Sequence, residues 1–174
     1  LYHCTLFQVF LALWALLLGR HAGQEEIVLG SPYHGRDIAG TDVLIGYFVN
    51  MLALLISMPY STATSEAVVR ATSATVAYAM QHALLPFQQI VNELLPQRPH
   101  DNSRNAIFQA MVAWIDVDEG ASFLQTAFGE VHAYLETIVR NSAKAEISLD
   151  GAASQHDGTI HCTIEFNSDL FLEG

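Results

Sequence analysis

The 174-residue sequence predicts an α/β fold, a mixed sheet covered by helices, from three observations. Segments of helical period alternate with short strand-like segments early in the chain. Two segments of strict apolar/polar alternation close it. The composition is 51% hydrophobic, enough for one unit of this length to bury a sizeable core. No internal repeat or low-complexity linker divides the chain.

Taken in order, the first element is "LFQVFLALWALLLG", Leu6 to Gly19. It is too short to cross a bilayer. No Lys or Arg precedes it as a signal peptide requires, and Arg20, His21, Gln24, Glu25 and Glu26 follow at once. It reads as a helix apolar on all sides, buried in the core, with Thr5 as its cap. "EEIVLG" reads as a short strand ending at Gly30, and "YFVNMLALLI" as a second strand buried on both faces. Ser65, followed by Glu66, is the expected N-cap of an amphipathic helix whose stripe is Val69, Val76, Met80 and Ala83. Pro86 suits the first turn of another helix, with Phe87, Ile90, Val91, Leu94 and Leu95 at helical spacing until Pro96 stops it.

After the loop "PQRPHDNSRN", the long apolar "AIFQAMVAWIDV" reads as a central strand, with a helix as the open alternative. In "KAEISLD" and "TIHCTIEF", Ala145, Ile147 and Leu149, then Ile160, Cys162, Ile164 and Phe166, alternate with polar neighbours. These form a hairpin joined by "GAASQHDG".

Charge and inventory exclude several function classes. Seven Lys and Arg against eighteen Asp and Glu give a formal charge of -11, which repels phosphate backbones and anionic membrane surfaces. Neither nucleic acid nor membrane is an expected partner. Cys4 and Cys162 read as ordinary thiols of a reducing, cytoplasmic compartment. There is no phosphate loop, nucleophile elbow, His-Glu-x-x-His helix or Cys-x-x-Cys pair. The eight histidines are scattered, and the closest two, His156 and His161, have no third ligand nearby, so no metal site is expected.

Two polar constellations stand out. In the first, Gly30, Pro32 and Gly35 shape a tight turn that presents Arg36, while Gly46 lets the backbone approach something closely. The second is "DNSRN", which delivers Ser103, Arg104 and Asn105 at the mouth of an apolar strand, either as an Asx-type turn with an incidental arginine or as a functional loop.

These positions, in order, resemble the second half of a condensation domain from a nonribosomal peptide synthetase. "LFQVFLALWALLLGRHAGQEEIVLGSPYHGR" is similar to that family's first C-lobe helix leading into its Gly-x-Pro-x-x-Gly-Arg turn, and "IGYFVNMLAL" to its Ile-Gly-Phe-Phe-Val-Asn-Thr strand. "HALLPFQQIVNEL" resembles its His-Gln-Asp-x-Pro-Phe-Glu helix start, and "HDNSRNAIFQ" its Arg-Asp-x-Ser-Arg-Asn-Pro-Leu-Phe-Gln segment. Departures are Leu55 in place of an arginine, Ala83 and Leu84 for Gln-Asp, His100 for an arginine and Ala106 for a proline.

The resemblance implies the C-terminal lobe of a chloramphenicol acetyltransferase-like fold, with residues 1–174 a partial condensation domain cut from a longer chain. The N-terminal lobe and the final helix would lie outside it. The family's chemistry centres on a His-His-x-x-x-Asp-Gly segment that this chain lacks, so no catalytic residue is expected here and the piece alone is expected to be inactive. By the same resemblance, Arg36 would ion-pair with the aspartate of that segment, supported by Gly35 and Asn105. Ser103, Arg104, Gly46 and Asn50 would lie along the substrate tunnel or its loop. The implied activity is amide formation between a carrier-bound acyl or peptidyl thioester and an aminoacyl thioester. Partners would be the missing lobe, peptidyl or acyl carrier proteins and an adenylation domain. Phosphopantetheine would arrive on the carriers, with no cofactor bound directly. The other readings are a noncatalytic half-domain that binds or scaffolds, and an epimerising or ester-forming relative.

Overall fold

The computed structural model describes residues 4–58, 64–97, 104–114, 142–154 and 158–171. It divides into two compact units, Leu1–Val112 and Ala113–Gly174.

The first unit opens with helix α1, Leu6–Ala22. Thr5 and Gln8 form a reciprocal capping box, and Gly23 closes the helix in the left-handed conformation at φ 64°. Arg20 and His21 in the last turn oppose the negative end of the helix dipole. Leu11, Ala12, Trp14, Ala15 and Gly19 are buried, whereas Leu6, Leu13 and Leu17 are exposed. The expectation of burial on all sides is therefore corrected: among the described residues, α2 and β1 pack against the helix and leave its outer side open.

Strands β1, Glu26–Tyr33, and β2, Asn50–Ser57, pair antiparallel from Glu26↔Ser57 to Tyr33↔Asn50. Strand β3, Ala110–Trp114, lies parallel to β1 on its other side, with Leu29 opposite Ala110 and Gly30 opposite Met111. The expected strand in "AIFQAMVAWIDV" thus exists, and β1 is flanked on both sides in a mixed sheet.

Gly30 does not end β1 as the sequence predicts. A side chain there would put its Cβ 2.2 Å from the Phe108 ring, so glycine admits that ring while the strand runs on to Tyr33. Likewise β2 starts at Asn50 rather than Tyr47, and it is not buried on both faces: Leu54 and Ile56 are buried while Leu55 between them is half exposed. That alternation is the signature of a strand covered on one face.

Helix α2, Ser65–Gln81, is capped by Thr64, whose hydroxyl accepts the Ala67 N–H at 3.2 Å, so Ser65 is the first helical residue and not the cap. Its buried stripe is Val68, Thr72 and Val76; of the predicted stripe, Val76 and Ala83 just beyond the helix are buried, while Val69 is only half-buried and Met80 is exposed. Thr72 is polar and hid the true stripe. Helix α3, Phe87–Leu94, follows Pro86 as expected, and none of its residues is fully buried.

In the second unit, β4, Ile147–Ala153, and β5, Ile160–Phe166, form the expected antiparallel hairpin. Gly151, Ala152 and Ala153 belong to β4 rather than to the loop, because the pairing extends to Ala153↔Ile160. Leu149 is buried, but Ile160, Cys162 and Ile164 are exposed. Both cysteines are free thiols. Among the described residues, no helix is long and apolar enough to cross a membrane and no metal-ligand cluster is found.

Candidate functional site

The segment from His34 to Val49 connects β1 to β2 and wraps around one guanidinium. Arg36 Nη1 donates to the carbonyls of Thr41 and of Leu44, the latter at 3.0 Å, and Nη2 donates to the Gly46 carbonyl at 3.3 Å. The guanidinium lies 4.4 Å from the Phe48 ring centroid, a cation–π contact. Carbonyl oxygens converge on it because the chain turns back on itself: Thr41 donates both its N–H and its hydroxyl to the Ile38 carbonyl, and the Leu44 N–H donates to the Thr41 carbonyl. Hydrogen bonds from an ionised donor are about twice as strong as neutral ones, so one arginine can organise a loop with no regular structure.

Gly35 makes this geometry possible. It sits at φ 68°, and a Cβ there would lie 2.1 Å from the Phe48 carbonyl oxygen. Both the backbone conformation and the space demand glycine. Gly46, as the sequence suggests, allows a close approach, with the Phe48 ring 3.0 Å from where its Cβ would be. The outer surface of the loop is apolar, with Val43, Ile45 and Tyr47 strongly exposed.

Next to Arg36, three titratable side chains meet. The Tyr33 hydroxyl donates to Asp37 Oδ2, and His34 Nε2 lies 3.4 Å from Asp37 Oδ1. His34 Nδ1 accepts the backbone N–H of Arg36 at 3.0 Å. The hydrogen bond to Asp37 raises the Tyr33 phenol above its ordinary pKa of 10.0, with burial and the carboxylate charge adding to the effect.

Asn50, the first residue of β2, is fully engaged by its own chain. Its Nδ2 donates to the carbonyls of Ala83 at 2.8 Å and Leu85 at 2.7 Å, and its Oδ1 accepts the Phe87 N–H at 3.1 Å. Asn105 makes the Asx-type turn: its Oδ1 accepts from the Ile107 N–H at 3.1 Å and, more weakly, from Phe108. That turn drives the Phe108 ring into the core, under Gly30 and 5.4 Å from the Phe87 ring. Arg104 is exposed, and Ser103 lies outside the described residues.

Gly35, Arg36 and Gly46 therefore share one loop, while Asn50 and Asn105 are linked through Phe87 and Phe108. Sequence reasoning missed Phe48, Phe108 and the Tyr33–His34–Asp37 cluster. The departure of "YHGRD" from a plain glycine turn was the available signal for the cluster, and nothing local marks the two phenylalanines as partners of Arg36 and Gly30.

Comparison with known proteins matches this architecture. The Condensation domain family matches residues 1–174. The chain is 32% identical over 96% of its length to tyrocidine synthase 3 of Brevibacillus parabrevis, covering 2% of that protein. It is 38% identical over 63% of its length to malpinin synthetase of Mortierella alpina, covering 1% of it. Among solved structures, a holo four-domain nonribosomal peptide synthetase bound to AMP and glycine superposes with TM-score 0.81 at 18% identity, over 97% of this chain and 13% of that one. The condensation domain of monacolin K polyketide synthase gives 0.78 at 20% identity, over 98% and 38%. These establish the chloramphenicol acetyltransferase-like fold, and the chain spans only a few percent of the curated relatives. With the family matched from end to end, the chain belongs to the condensation domains.

Proposed function

We propose that this chain is the C-terminal lobe of a condensation domain in a cytoplasmic nonribosomal peptide synthetase. The domain joins two carrier-tethered substrates: the acceptor amine attacks the donor thioester carbon, a C–N bond forms, the C–S bond breaks, and the thiol returns to the donor's phosphopantetheine arm. The base that takes the amine proton is the second histidine of a His-His-x-x-x-Asp-Gly segment supplied from outside these residues, and this piece alone is inactive. Carrier proteins bring both substrates, and an adjacent adenylation domain is a further partner.

The observation that carries this reading is the hydrogen-bonding state of Arg36. A guanidinium has five N–H donors. Nη1 donates to two loop carbonyls and Nη2 to one, and among the described residues no hydrogen bond from Nε is found. The Nε–H and the Nη2 N–H on the same edge of a guanidinium form the side-on fork that grips a carboxylate bidentately. Arg36 thus has the donors to brace the aspartate of the catalytic segment while staying fixed by its own loop. The apolar rim of Val43, Ile45 and Tyr47 suits coverage by the N-terminal lobe. Asn105 supports the site by holding Phe108, with Ser103, Arg104, Gly46 and Asn50 along the tunnel and its loop.

The test is Arg36→Ala and Arg36→Lys in the full-length synthetase, with dipeptide formation measured on loaded carrier proteins. Misplacing the base should cost about 100-fold in rate, and lysine, which lacks the planar fork, should not restore it. Wild-type dipeptide formation by Arg36→Ala would sink the assignment.

A further inference from the structure

We propose that His34, backed by Asp37 and Tyr33, is a positioning residue for Arg36, resting on the role given to Arg36 above. Three contacts carry this. His34 Nδ1 accepts the Arg36 N–H at 3.0 Å, so the imidazole proton lies on Nε2, which faces Asp37 Oδ1 at 3.4 Å. The Tyr33 hydroxyl holds the other oxygen of the same carboxylate. Tyr33 itself is anchored, 6% exposed at the end of β1, and its ring lies 5.2 Å from the imidazole.

The order of dependence runs from the core outward. Tyr33, fixed by the sheet, orients Asp37; Asp37 orients His34; His34 fixes the backbone at Arg36. The imidazole does here what the side-chain oxygen of an Asx turn does, accepting the N–H two residues on. That bond matters because Gly35, immediately before Arg36, is in the left-handed conformation and would otherwise leave the turn free to swing. The three loop carbonyls hold the guanidinium end of the side chain, and the His34 bond holds its backbone end. With both ends held, the Nε edge points in one direction.

The experiment uses His34→Ala, His34→Asn and Asp37→Ala in the full-length synthetase. It reads amide exchange by mass spectrometry in the peptides spanning residues 34–48, and condensation kinetics with loaded donor and acceptor carriers. In His34→Ala, exchange in that segment should rise about tenfold or more with other segments unchanged, and kcat should fall roughly 10- to 100-fold with the acceptor KM unchanged. Asp37→Ala should shift both in the same direction, less strongly. His34→Asn keeps an acceptor for the Arg36 N–H and should restore both readouts. Unchanged exchange in His34→Ala, or no rescue by asparagine, overturns the proposal. Faster exchange rescued by asparagine but with undiminished condensation would uphold the clamp and instead remove the role proposed for Arg36.

Discussion

Asn50 and Phe87, 37 positions apart, are joined by a 3.1 Å hydrogen bond from the Phe87 N–H to the Asn50 side-chain oxygen. Pro86, the residue before Phe87, has no side chain able to cap α3. Asn50 supplies that cap from another element, and its amide nitrogen satisfies the Ala83 and Leu85 carbonyls of the turn leading into α3. One side chain thereby ties the first residue of β2 to the α2–α3 connection.

Asn50→Ala should therefore destabilise the protein by about 1–3 kcal/mol, since three backbone groups lose their partner together. Asn50→Asp should be damaging too, because it keeps the acceptor for Phe87 and loses both donors. Urea unfolding of the full-length chain, followed by a probe in this domain, checks this; a midpoint equal to wild type in both variants would refute the latch.

Gly30 and Phe108 form a second coupled pair. Gly30→Ala should cost about 1–3 kcal/mol, because a Cβ 2.2 Å from the ring forces a rigid side chain out of a packed core. Phe108→Leu removes the ring edge at that position, so the double variant should be less destabilised than the sum of the singles. A double-mutant cycle reads this directly, and strict additivity would show that the two do not meet.

Asp150, in β4 opposite Thr163, gives a pH dependence. Burial raises its carboxyl above the ordinary 3.8 against the opposing pull of Lys144, and Glu165 adds to the rise. The folded state thus holds its proton to higher pH than the unfolded state does. This contribution to stability is fully present below about pH 4 and is lost as pH rises through the elevated folded value. Asp150→Asn should raise the neutral-pH melting temperature and flatten this group's share of the pH profile. A variant whose melting temperature tracks wild type across that window would contradict the assignment.

Much of the local structure was legible in the sequence. Thr5 as a cap, Pro86 at the start of α3, the β4–β5 hairpin and the existence of β3 all follow from propensities and periods that a few neighbouring residues encode. The family, too, was legible in four ordered segments. Other features depend on residues far away in the chain. Thr72 rather than Val69 faces inward because the partners of α2 decide which stripe is covered, and hydrophobicity alone cannot rank a threonine there. The strand passes through Gly30 because a ring arrives from residue 108.

Arg36 shows the division most clearly. By itself the sequence determined that a flexible, glycine-bearing turn presents an arginine. Only the tertiary structure decided that Thr41, Leu44 and Gly46 hold it and that His34 pins its backbone. The reason is physical: three of those acceptors are main-chain carbonyls, which every residue possesses, so no pattern of side chains announces them until the chain has closed around the charge.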